Sequence, residues 1–153
     1  MKKITLLSIL CVVFASIIIS CSSDSSSAAS TESILGRWSL EKRGFTSDGV
    51  TTPEYDYENN NPGCVTHDYM EFKTLNAFEN GYYNPDCSIT PNVGAEWTKA
   101  GNLITITDPE AETYIFELLS VTTTELKMRI NMTGTEGVEP GVVLYINYTL
   151  KKV

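Results

Sequence analysis

From residue 34 onward, apolar and polar side chains alternate in short runs. Between Ile34 and Phe45, Trp38 and Leu40 alternate with polar neighbours. Between His67 and Phe72, the residues Asp68, Met70 and Phe72 fall on one side, with His67, Tyr69 and Glu71 on the other. The pattern returns at Phe78 to Tyr83, at Trp97, at Ile104 and Ile106, and at Tyr114, Phe116 and Leu118. It returns again at Leu126, Met128 and Ile130, and last at Leu144, Ile146, Tyr148 and Leu150. Successive Cβ atoms of a strand point to opposite faces, so a period of two marks a strand with one face buried. Turn chemistry separates the runs: Asp48-Gly49, Asn76, Asn84-Pro85-Asp86, Pro91-Asn92 with Gly94, and the tight hairpin Ala100-Gly101-Asn102. The pattern predicts an all-β chain of about eight short antiparallel strands, with no helical period long enough to matter. Short hairpins favour an up-and-down meander, and eight strands can close into a barrel without exposed edges. A two-sheet sandwich is the alternative. In a barrel, Trp38 on the first strand would plug the narrow end.

Ahead of this domain the pattern differs. Lys2 and Lys3 precede an apolar run from Ile4 to Ile19, then Ser20 and Cys21. A run of about 16 residues is short for a bilayer span of roughly 20. The segment resembles a bacterial lipoprotein signal with its lipobox. That resemblance implies removal of residues 1–20 and acylation of Cys21, by palmitate or a related chain. An uncleaved anchor helix and cleavage after Ala29 are the alternatives. Ser22, where an aspartate would retain the protein, implies release to an outer membrane and leaves the leaflet open. Residues 22–33 are almost all Ser, Ala, Thr and acid, which predicts a disordered tether reaching roughly 20 Å. The folded domain is then 34–153.

The chain of 153 residues carries 11 basic and 19 acidic side chains, a formal charge of −8. Loss of Lys2 and Lys3 with a blocked amine makes this −10. Such a surface repels phosphate backbones, which argues against nucleic acid as a partner and leaves lipid as the means of membrane attachment. Of the four cysteines, the lipoprotein resemblance implies that Cys11 leaves with the leader and that Cys21 is acylated. Cys64 and Cys87 remain, and an oxidising envelope predicts a disulfide between them. They lack the Cys-x-x-Cys spacing of redox or metal sites. His67, the one histidine, adjoins Asp68 but points to the opposite face, so a structural or surface role is expected. No serine sits in a nucleophile elbow and no glycine-rich loop precedes a helix, so neither catalysis nor a cofactor or metal is expected. The stretch Glu54 to Asn61, with Tyr55, Asp56, Tyr57 and Glu58, reads as a solvated loop. Sugar contact or calcium are lesser alternatives, and the glycine that a calcium loop needs at its sixth position is absent.

Gly36-Arg37-Trp38 matches the Gly-x-Trp start of lipocalins. The chain beyond it resembles the short lipocalin-like domains of bacterial lipoproteins: Cys64, Asp68, Met70, Phe72, Phe78, Cys87, Trp97, Gly101, Asn102, Ile104 and Ile106, then Leu118, Val121, Leu126 and Met128. His67, Asn76 and the spacing of Gly94 to Trp97 depart from that pattern. The resemblance implies a calycin-type barrel closed around Gly36 and Trp38, with Lys151 or Lys152 packed on the indole by cation–π contact. It also implies a monomer that binds a small hydrophobic molecule through Met70, Phe72, Ile104, Ile106, Phe116, Met128 and Ile146. The alternative is that these side chains fill the barrel, leaving an accessory lipoprotein that contacts protein or glycan through its loops. Eight-stranded barrels occur in both forms, and a cavity of about 300 Å³ distinguishes them.

Overall fold

The computed structural model describes residues 34–57, 64 and 67–153. Residues 1–33, on which the expected leader, Cys21 and tether fall, and residues 58–63, 65 and 66 lie outside the described residues. The strands are β1 (Gly36–Ser47), β2 (Val50–Thr51), β3 (Tyr55–Asp56), β4 (Tyr69–Phe72), β5 (Ala77–Tyr83), β6 (Ile89–Ala100), β7 (Leu103–Thr107), β8 (Thr113–Val121), β9 (Glu125–Asn131) and β10 (Leu144–Lys152).

All neighbours are antiparallel, and β4 to β10 pair in sequence order. The sheet closes because β10 pairs β1 from Trp38↔Lys152 to Ser47↔Leu144. On its other edge β1 pairs β4 near its start, β3 in its middle and β2 at its end. The result is a closed eight-stranded barrel of β1 and β4 to β10, with β2 and β3 as short additions along β1. Closure leaves the two terminal strands paired with each other, and among the described residues the first half of β6, before Glu96, keeps an unpaired edge with β5 as its one neighbour.

The turns form as their residues require. Asp48 and Gly49 both adopt positive φ, 48° and 81°, between the paired Ser47 and Val50, the sign pattern of a type I′ hairpin. Gly101 has φ 61° between Ala100 and Leu103.

Two bulges reset which side chains face inward. In β1 the register shifts between Leu40 and Lys42, so Arg43 pairs Tyr148 and Phe45 pairs Ile146. In β6 the shift against Phe78 and Glu79 falls at Gly94, whose φ of 95° suits the extra residue of a bulge. The turn expected over Pro91, Asn92 and Gly94 is therefore corrected: all three belong to β6, with Pro91 opposite Gly81 and Asn92 opposite Asn80. Pro91 is tolerated because β7 pairs only Glu96 to Ala100, so this part of β6 has one neighbour and the missing N–H interrupts no second ladder.

The core occupies one end of the barrel. Ile34, Trp38, Phe72, Ile104, Leu126, Met128 and Leu150 are fully buried there. Trp97 meets Phe72 edge-on with ring centroids 5.4 Å apart and donates Nε1–H to the Lys73 carbonyl at 3.0 Å. Trp38 donates its indole N–H to the Ile34 carbonyl at 2.8 Å. Both indoles are thus hydrogen-bonded while their rings fill the centre, at roughly 1.5–3 kcal/mol of burial per large apolar side chain.

Candidate functional site

The lower half of the barrel is solid and the upper half is not. A cavity of about 330 Å³ opens at the end formed by the C-termini of β5, β7 and β9 and the N-termini of β6, β8 and β10. Its wall is apolar: Met70, Phe78, Ala95, Ile106, Phe116, Ile130, Met132 and Ile146, with the Tyr148 ring 6.3 Å from that of Phe116. Its polar side chains are Asn80, Tyr82, Asn92, Asp108 and Tyr114. Asn80 donates its amide N–H to the Tyr82 hydroxyl at 2.6 Å.

Of the residues expected to line a ligand, Met70, Ile106, Phe116 and Ile146 do line this cavity. Phe72, Ile104 and Met128 do not, and that expectation is corrected: they lie nearer the closed end, where Trp38, Trp97 and Leu126 pack the space. Asn92 was missed as a lining residue because the Gly94 bulge turns it inward and turns Val93 outward, 58% exposed.

At the closed end, the Lys152 ammonium lies 4.3 Å from the Trp38 ring and donates to the Leu35 carbonyl. A Cβ on Gly36, whose φ is 115°, would strike the Lys152 side chain. Lys151 does not take this place. It pairs Ser39 and stays exposed on the outer wall with Arg37 and His67, which corrects its proposed role in closure. His67 is half-buried, and its Nδ1 has no hydrogen-bond partner.

The stretch read as a solvated loop is partly structured. Glu54 accepts the Thr149 hydroxyl at 2.9 Å, Tyr55 and Asp56 form β3, and Tyr57 donates its main-chain N–H to the Glu41 carbonyl at 2.7 Å. The Tyr57 hydroxyl donates to Asp68 at 3.1 Å. Burial, together with that carboxylate, pushes the Tyr57 phenol up to about 12. Asp68 is 4% exposed and also accepts the Tyr83 main-chain N–H at 3.1 Å.

Arg43 stands beside these tyrosines. Its Nε donates to the Tyr55 hydroxyl at 3.0 Å, and its guanidinium lies 5.7 Å from the Phe45 ring centroid and 5.8 Å from those of Tyr55 and Tyr57. Counting by twos from Trp38 and Leu40 puts Lys42 inside instead. Phe45, apolar but out of phase with Trp38, is the sequence signal that a bulge intervenes.

The disulfide between Cys64 and Cys87 is present. It ties the chain just ahead of β4 to the turn between β5 and β6. Among the described residues, no three His, Cys, Asp or Glu side chains are grouped to hold a metal ion.

The chain thus forms a closed antiparallel β-barrel, packed at one end and hollow and largely apolar at the other. A family model described as lipocalin-like domain matches residues 34–128. The chain belongs to that lipocalin-like domain family. Among solved structures it is similar to a deswapped triple mutant of bovine odorant binding protein, at 16% identity and a TM-score of 0.44, covering 79% of this chain and 74% of that one. No curated protein matches the chain significantly.

Proposed function

We propose that this protein is a non-enzymatic binder of a small, largely apolar molecule, held in the upper half of its barrel. The observation that carries this reading is the cavity itself. About 330 Å³ of apolar-walled space remains above a core that needs no further filling, close to the lower end of the roughly 300–1,000 Å³ that small-molecule sites occupy. A compact ligand suits that volume. Calorimetric titration of the full chain with decanol tests the reading. Saturable binding is expected, and Ile146→Trp, which fills the cavity from β10, is expected to abolish it while near-ultraviolet circular dichroism stays folded. Failure of both decanol and its carboxylate analogue decanoate to bind the unaltered chain, or decanol binding equally well to Ile146→Trp, overturns the reading.

The accessory alternative draws support from one surface feature. A groove of about 670 Å³ runs along the outer wall past Leu103, Ile115 and Tyr145, where Ile115 is 52% exposed. It lies open to solvent beside the Arg129–Glu117 ion pair, whereas the barrel cavity is walled by strands.

We also read the protein as a monomer tethered to the cell envelope, in an outer membrane, by lipid on Cys21. Support comes from the Lys2 to Cys21 pattern and the polar stretch behind it. Ile34 packs at the closed end beneath Trp38, so a tether leading into it would hold the open end away from the bilayer. Cys21→Ala is expected to move the protein from the membrane fraction to the soluble fraction. A variant that still pellets with membranes rejects the anchor.

A further inference from the structure

We propose that the ligand is an anionic amphipath whose carboxylate is held at the cavity's edge by Arg43 and Tyr55 while its apolar chain occupies the cavity. This rests on the cavity reading and names the chemical class that the cavity takes.

The first ground is position. Arg43 and Tyr148 are register partners across β1 and β10, so their side chains share the inner face. Tyr148 is cavity wall. The guanidinium therefore lies on the inner face beside that wall, and its bond to Tyr55 is open to solvent, so a head group can reach it from outside the cavity.

The second ground is an unspent hydrogen-bonding capacity. The chain has three arginines. Arg37 pairs Glu71 at 2.8 Å and Arg129 pairs Glu117 at 2.6 Å, both on the outer wall. Arg43 has no carboxylate partner among the described residues, in a protein with 19 acidic side chains. Its Nε is used on Tyr55, and its two terminal nitrogens have no acceptor among the described residues. A carboxylate fits that planar donor edge in the bidentate manner that makes such bonds shorter and stronger than neutral ones. Tyr55 completes the arrangement: its hydroxyl oxygen accepts from Arg43, so its own proton remains to donate to the same carboxylate.

The third ground is that the fork is held in place. The rings of Phe45, Tyr55 and Tyr57 lie within cation–π range of the guanidinium, which limits the rotamer freedom that binding would otherwise remove. Neighbouring acids fix where the head group can lie. Asp108 lines the cavity and repels a carboxylate from that side, while Asp68, held by Tyr57 and Tyr83, leaves the outward edge of the Arg43 fork as the place a head group can lie.

The test compares decanoate with decanol, which share a chain and differ in the head group, by calorimetric titration of the full chain near neutral pH. Decanoate is expected to bind about tenfold to a hundredfold more tightly, the range for a charge-assisted hydrogen bond. Arg43→Gln is expected to erase that preference by weakening decanoate, bringing the two probes within about threefold of each other. Arg43→Lys keeps a charge without the planar fork and is expected to retain part of the preference. Should Arg43→Gln fail to fold, Tyr55→Phe replaces it and is expected to weaken decanoate by about threefold to tenfold. Equal binding of the two probes to the unaltered chain, or a preference that survives Arg43→Gln, overturns this proposal and leaves the cavity reading standing. Binding of neither probe overturns both.

Discussion

The Lys152 ammonium lies 4.3 Å from the centre of the Trp38 ring, and Trp38 and Lys152 are also register partners where the last strand meets the first. One contact therefore both seals the closed end and marks the seam of the barrel. Burial lowers the Lys152 pKa, since charge is disfavoured where the side chain leaves water.

Removing that side chain costs stability. Lys152→Ala loses a cation–π contact and a donor to the Leu35 carbonyl, and is expected to destabilise the fold by about 1–2 kcal/mol in urea titrations. Lys151→Ala, one residue earlier on the outer wall, is expected to stay within about 0.5 kcal/mol. Equal effects of the two would show that the Trp38 contact has no special role.

The Cys64–Cys87 bond spans a sequence separation of 23 residues. Closing such a loop removes unfolded-state entropy worth roughly 3.5 kcal/mol at 25 °C in the simple chain model. Calorimetry under reducing conditions, or of Cys64→Ser with Cys87→Ser, is expected to lower the melting temperature by about ten degrees. An unchanged transition would mean that the bond does not constrain the unfolded chain.

Of the phenols whose pKa is raised, two are pushed up furthest. Burial first, then the Asp68 carboxylate, raises Tyr57 to about 12; burial first, then the hydrogen bond to Glu79, raises Tyr69 to about 12. A folded pKa above the unfolded value means stability fully present below about pH 10 and lost as pH rises toward 12. Phenolate absorbance is expected to show these tyrosines ionising with unfolding, and Tyr69→Phe to flatten part of the alkaline loss. Glu79 works in the opposite direction. Its hydrogen bonds from Lys73 and Tyr69, both 2.5 Å, hold its carboxyl below the usual range. Its contribution is present above the ordinary carboxylate pKa and lost as pH falls through the lowered one, so Glu79→Gln is expected to reduce the acid dependence of stability.

Gly94 carries the β6 bulge with φ 95°. Gly94→Ala places a side chain in a backbone region it rarely adopts, and a loss of about 1–3 kcal/mol is expected by denaturant titration. Because the bulge aims Asn92 into the cavity, the same variant is expected to weaken decanol binding, which a purely local strain would not do.

Much of the barrel was legible in the chain. Alternation located the inner residues Met70, Phe72, Ile104, Ile106, Phe116, Leu118, Leu126, Met128 and Leu150, since a period of two states which face meets the core. Asp48-Gly49 and Gly101-Asn102 marked turns because few residues accept positive φ. The site was less legible. Phe72, Ile104 and Met128 have the same inward pattern as Met70, Ile106 and Ile146, yet the first three fill the closed end and the others line the cavity. Periodicity reports a face and carries no height along the barrel axis. Nor does it survive a bulge: one extra residue near Glu41 brings Arg43 inward, and one at Gly94 brings Asn92 inward.

By itself, then, the order of residues determined that this chain forms antiparallel strands, which faces most of them bury and where most of them turn, because each of these depends on contacts close along the chain. Only the tertiary structure decided that β10 seals against β1, that Lys152 and not Lys151 covers Trp38, and that the lower half is filled while the upper half stays open. Those outcomes depend on stagger between strands far apart in sequence, and stagger is set when all eight close together at once.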